Sequence, residues 1–132
     1  MAIPEYPDIL IVDDDVEFRR SLTKILQKAG YHVWAASDAF QAEELFIHKF
    51  YPLILLDVYM PGKSGLKLLE EIKSCSPATK VIIVTVEDEK EIILQVQKAG
   101  AFAFLNKPVK REEILNYVDR AFESSQDVQV GN

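Results

Sequence analysis

Four apolar runs end in residues with a chemical use. Asp13 and Asp14 follow the run at 9–12, Asp57 follows 53–56, Thr85 follows 81–84, and Lys107 closes the segment 101–106. If these runs are neighbouring strands, three carboxylates, a hydroxyl and an ammonium group meet at one end of a sheet. Two unit charges about 4 Å apart repel by roughly 4 kcal/mol at an effective dielectric near 20, so the three carboxylates need a counter-charge. A hard divalent cation is the natural one, and Mg²⁺ takes oxygen ligands while leaving room for phosphate oxygens. Lys107 and Thr85 are the groups that stabilise the oxygens of a phosphoryl group in transfer, with a carboxylate as nucleophile. Asp57 stands alone at its strand end and is the candidate nucleophile. The adjacent Asp13 and Asp14 suit metal ligation, directly or through water.

Positioning these groups requires an alternation of short apolar and longer amphipathic segments, and the chain has five of each. The runs at 9–12, 31–35, 53–56, 81–84 and 101–105 read as strands. Helical spacing follows each: 16–29 with Phe18, Leu22, Ile25 and Leu26, stopped by Gly30; a helix capped by Ser37 or Asp38 and carrying Phe40, Leu45 and Phe46; one capped by Ser64 through Leu66, Leu69 and Ile72; one opened by the acidic segment 87–91 and closed by Gly100; and 112–122 with Ile114, Leu115, Val118 and Phe122 on one face. Asp15 reads as a helix cap rather than a site residue. Strands apolar throughout, alternating with helices, predict a parallel sheet covered on both faces. The expected fold is α/β, a three-layer sandwich with ligands bound beyond the carboxyl ends of the strands. Residues 1–123 form the expected domain, and 124–132 read as a polar tail or the start of a linker.

Composition limits the alternatives. The 132 residues, 48% hydrophobic and 27% charged, suit one core. Fifteen Lys plus Arg against 21 Asp plus Glu give a net charge of −6, which argues against nucleic-acid contact by this domain. A single cysteine, Cys75, and two histidines, His32 and His48, supply no zinc set and read with Trp34 as structural. No apolar run reaches the roughly 18 residues a membrane span needs, so the expectation is a cytoplasmic domain without membrane contact.

The ordered set of the acidic pair after Ile-Leu-Ile-Val, Leu55-Leu56-Asp57 before Met60-Pro61-Gly62 and Gly65, Thr85 after its apolar run, and Lys107-Pro108 resembles the CheY-like receiver domain of two-component response regulators. The resemblance spans about 7–123. It implies a five-stranded parallel sheet in the flavodoxin-like order 2-1-3-4-5 with five helices. It also implies that Asp57 accepts a phosphoryl group from the phosphohistidine of a sensor histidine kinase or phosphotransfer protein, in a signalling domain that catalyses its own phosphorylation and dephosphorylation. Asp14, Asp57 and the Tyr59 carbonyl would ligate Mg²⁺, with Asp13 acting through water. Thr85, Lys107 and the aromatic Phe104 would form the switch, reshaping the face of the fourth helix, fifth strand and fifth helix. That face is the one through which such domains form homodimers or control an output partner, here an effector domain beyond Asn132 or a separate protein. The Lys107-Pro108 bond would be cis. Tyr59 and Glu87 occupy positions that tune the lifetime of the phosphorylated form, and a bulky Tyr59 is expected to slow hydrolysis. Val86 exceeds the small residue common after the threonine and is expected to narrow access.

Two other classes compete. Asp13-Asp14-Asp15 also fits the Asp-x-Asp of a haloacid-dehalogenase-like phosphatase with Asp13 as nucleophile, although Glu17 stands where that family has Thr or Val. A flavodoxin-like electron carrier would need hydroxyl and glycine residues around a flavin phosphate, where this chain has three aspartates.

Overall fold

The computed structural model of the chain describes residues 7–60, 62–86 and 89–130, with 124–130 described by backbone alone. Its elements are β1 (Asp8–Val12), α1 (Val16–Lys28), β2 (His32–Ala36), α2 (Ala39–Phe46), β3 (Leu53–Leu56), α3 (Gly65–Cys75), β4 (Lys80–Thr85), α4 (Lys90–Lys98), β5 (Ala103–Asn106) and α5 (Arg111–Val130). All neighbouring strands are parallel, in the order β2-β1-β3-β4-β5. This is the α/β sandwich and strand order expected.

Strand order dictates the layers. From β1 the chain steps to one side to form β2, then crosses back over β1 and continues the other way through β3, β4 and β5. Right-handed crossovers running in opposite directions put their helices on opposite faces. Accordingly Ile9, Ile11, Leu55, Ile82 and Val84 pack against Leu22 and Leu26 of α1 and Ile114 and Val118 of α5. The alternate strand residues Leu10, Val12, Ile54, Leu56 and Ile83 pack against α2, α3 and Val96 of α4. The direction reverses between β1 and β3, and folds of this kind bind ligands beyond the carboxyl ends of the strands at such a point.

Local signals fix the helix starts. Asp15 accepts hydrogen bonds from the N–H groups of Glu17 and Phe18, Asp38 from Gln41 and Ser64 from Lys67. Ser37 does not cap α2; its N–H and hydroxyl both engage Gln41. Glu89 precedes α4 without a side-chain cap bond, and residues 87 and 88 of the acidic segment lie outside the described residues, as does Pro61.

Three details depart from what the apolar pattern predicts. β2, at the edge as the expected order requires, is not covered on both faces but largely exposed, with Trp34 reaching solvent while its Nε1 donates to Asp8 at 3.5 Å. Phe40 is 71% exposed, because the buried face of α2 is lined by Ala39 and Ala42. The last helix does not end at Phe122 but runs through Val130. Residues 123–130 lack apolar periodicity, yet they contain neither Gly nor Pro to stop backbone hydrogen bonding from propagating. No helix among the described residues is long and apolar enough to cross a membrane.

Candidate functional site

β1 and β3 pair in a register that sets Val12 opposite Leu56. The next residues, Asp13 and Asp57, therefore leave the two strands side by side. The Asp57 N–H donates to the Val12 carbonyl at 3.0 Å and the Asp13 N–H to the Ala36 carbonyl at 3.1 Å, so both backbones are held by the sheet. Both residues are buried, at 1% and 5% exposure.

The two carboxylates are held alike. Asp13 Oδ1 accepts the Asp15 N–H at 2.9 Å, and Asp57 Oδ1 accepts the Tyr59 N–H at 2.9 Å. The second oxygen of each faces Lys107, whose Nζ lies 2.6 Å from Asp13 Oδ2 and 3.2 Å from Asp57 Oδ2. Lys107 arrives from the end of β5, where its N–H donates to the Thr85 carbonyl at 2.8 Å and its bond to Pro108 is cis, as expected. Its ammonium also sits 4.3 Å from the centre of the Phe18 ring on α1. Arg19, one residue further along α1, donates from Nη1 to the Asp13 carbonyl at 2.7 Å. Phe18 and Arg19 were not legible as site residues, since each contact depends on where the α1 surface meets the strand ends.

Burial pushes the Asp13 carboxyl above its ordinary range, and this outweighs the opposing hydrogen bonds from Lys107 and Asp15. Burial alone would lower Lys107, but the hydrogen bond to Asp13 and the charge of Asp57 win and hold it above its ordinary value. Lys107 is thus a fixed positive charge at neutral pH.

Asp14 is exposed beside them, and one carboxylate oxygen each from Asp13, Asp14 and Asp57 lie within 4.8 Å of one another. The donors are all hard oxygens, and the Lys107 ammonium contacts two of the three carboxylates. That set fits a hard divalent cation of the Mg²⁺ kind. Tyr59 contributes its N–H to Asp57 and turns its ring outward, 52% exposed; Val86 is exposed as well, at 64%.

Thr85 ends β4 and is completely buried. Ile83 pairs with Phe104 and Thr85 with Asn106, and side chains alternate along a strand. Thr85 and Phe104 therefore lie on the same face of the sheet, the one covered by α4. Phe104 is half-buried against the core cluster containing Val96 of α4. Lys107, Asp13, Asp14 and Asp57 thus converge directly, while Thr85 adjoins them through the β4 and β5 ends.

The loop between β3 and α3 folds tightly under Asp57. The Gly65 N–H donates to the Val58 carbonyl at 3.2 Å. A β-carbon at Gly65 would stand 2.4 Å from Val58 Cα and 2.5 Å from the Asp57 carbonyl oxygen, so only glycine permits this approach.

A family model for the response regulator receiver domain matches residues 9–119. The chain belongs to that family. This receiver domain is 38% identical over 109 residues to protein PetR of Rhodobacter capsulatus, covering 83% of this chain and 46% of PetR. It is 34% identical over 114 residues to the transcriptional regulatory protein ZraR of Escherichia coli K12, covering 86% of this chain and 26% of ZraR. The chain thus spans from a quarter to somewhat under half the length of these curated relatives. Among solved structures, a CheY-like receiver domain protein of Methanospirillum hungatei superposes with a TM-score of 0.88 at 32% identity, covering 92% of this chain and 98% of that one. NtrX of Brucella abortus gives 0.88 at 31% identity over 94% of this chain and 29% of its own.

Proposed function

We propose that this receiver domain accepts a phosphoryl group on Asp57 from the phosphohistidine of a sensor histidine kinase or phosphotransfer protein, and that the modification switches the face formed by α4, β5 and α5. The observation that carries this reading is the Lys107 ammonium lying between the buried carboxylates of Asp13 and Asp57. A nucleophilic carboxylate, a fixed cation beside it and a hydroxyl at the next strand end form the set that in-line phosphoryl transfer requires.

An oxygen of Asp57 attacks phosphorus, the new O–P bond forms as the P–N bond breaks, and the electron pair returns to the imidazole, which takes up a proton. Tyr59 N–H orients the attacking carboxylate. Lys107 pairs with the phosphoryl oxygens that replace the carboxylate charge it now neutralises. Thr85 donates its hydroxyl to the same group, and Phe104, on the same face of the sheet, transmits that movement toward α4. Asp14, Asp57 and the Tyr59 carbonyl would hold Mg²⁺, with Asp13 acting through water, and the ion would neutralise charge developing on the phosphoryl oxygens. Water-driven hydrolysis at the same site resets the switch, so the domain acts as a self-catalysing phosphoacceptor in signalling. A cytoplasmic setting, dimerisation through the α4-β5-α5 face and an effector domain following residues 1–123 belong to this reading, and the larger relatives PetR and ZraR support the last of these.

Acetyl phosphate with Mg²⁺ tests it by mass spectrometry of the intact chain. A gain of one phosphoryl group that disappears in Asp57→Asn and persists in Asp15→Asn is expected. Retention in Asp57→Asn together with loss in Asp13→Asn would instead select the phosphatase-type nucleophile.

A further inference from the structure

A second ionic group sits on the same loop as the phosphoryl acceptor but faces away from it. Lys63 donates to Glu43 on α2 and to Glu71 on α3. The three side chains are between 23% and 37% exposed, so the network is screened less than a fully exposed pair. One ammonium therefore ties the β3 to α3 loop to two helices at once.

The rest of the loop shows what this tie does. At its start, Tyr59 N–H holds Asp57 Oδ1. At its end, Ser64 caps α3 and Gly65 closes against Val58. Between them lies Gly62, at φ +84°, a residue with wide backbone freedom. Lys63 follows that pivot directly. Without its ammonium, the Glu43 and Glu71 carboxylates repel each other across the gap and the loop loses its lateral anchor to α2.

We propose that Lys63 is a positioning residue for the phosphoryl-accepting site: its bridge to Glu43 and Glu71 holds the β3 to α3 loop so that Tyr59 N–H stays on the Asp57 carboxylate. The role in phosphoryl transfer rests on the reading of Asp57 given above. Because Lys63 touches no reacting atom, its effect is read in the loop before any chemistry.

The test uses the full chain and the variants Lys63→Met and Lys63→Arg. Amide solvent exchange at Tyr59, measured by NMR without Mg²⁺, is expected to speed up by roughly two- to fivefold in Lys63→Met, as loss of a surface ion-pair network allows. The amides of Leu55 and Ile83 keep their protection, and the rate of phosphorylation by acetyl phosphate falls in proportion to the fraction of chains whose loop is open. Lys63→Arg, which retains a donor and a charge, restores both readouts. Unchanged Tyr59 exchange in Lys63→Met overturns the proposal. So does faster exchange shared equally by Leu55 and Ile83, which would mean general destabilisation. If the wild-type chain itself takes no phosphoryl group from acetyl phosphate, the Asp57 reading fails and the assigned role fails with it, whatever the exchange shows.

Discussion

Replacing Gly65 by alanine sets two effects of opposite sign against each other. Gly65 opens α3 and its φ is not in the left-handed region, so helix propensity alone predicts that Ala stabilises by about 1 kcal/mol. The surroundings predict the reverse. The added methyl would meet Val58 Cα at 2.4 Å and the Asp57 carbonyl oxygen at 2.5 Å. Ordinary contact requires roughly 1 Å more, and both atoms belong to the backbone, so no side chain can rotate away. Overpacking of this kind costs about 1–3 kcal/mol, and retreat of α3 also strains the Gly65 to Val58 hydrogen bond, worth about 0.5–1.5 kcal/mol. The net expectation for Gly65→Ala is destabilisation by about 1–3 kcal/mol. Equilibrium urea unfolding reads it as a lower midpoint at an unchanged slope. A variant as stable as the parent, or more so, would refute the argument that close backbone approach requires glycine here.

Lys107→Met removes the counter-charge from two buried carboxylates and should destabilise the fold by about 3 kcal/mol at neutral pH without Mg²⁺; millimolar Mg²⁺ should narrow the gap by binding the native carboxylates, and equal urea midpoints for the two proteins would contradict the site electrostatics. The hydrogen bond from Lys63 holds the Glu43 carboxyl below its ordinary range. A depressed native pKa contributes stability that is present above the unfolded value and is lost as pH falls through the native one. The stability difference between wild type and Glu43→Gln, measured by urea unfolding from neutral pH downward, should therefore shrink only below the ordinary glutamate range. A difference independent of pH would show that the bridge to Lys63 does not contribute through charge.

What could be read without coordinates was what depends on near neighbours. Apolar runs encode buried strands, and aspartate or serine before a helical period encodes a cap, because the N–H groups that Asp15, Asp38 and Ser64 accept lie within three residues. The same local logic failed where a property depends on a remote surface. Phe40 fits a helical period but faces solvent, and residues 123–130 continue α5 without any apolar signal.

The strand and helix alternation and the chemical identity of each strand end follow from the order of residues along the chain. Asp13, Asp14, Asp57, Thr85 and Lys107 were legible because each terminates a short apolar run. The tertiary structure alone decided their distances. Lys107 reaches Asp13 across 94 residues, and Asp13 stands beside Asp57 because β1 pairs with β3 in one register. A side-chain pattern of period two records which face of a strand is buried but not which strand lies next to it. The same reason hides Arg19 on the Asp13 carbonyl, the Lys63 bridge between α2 and α3, and the backbone that only Gly65 can approach.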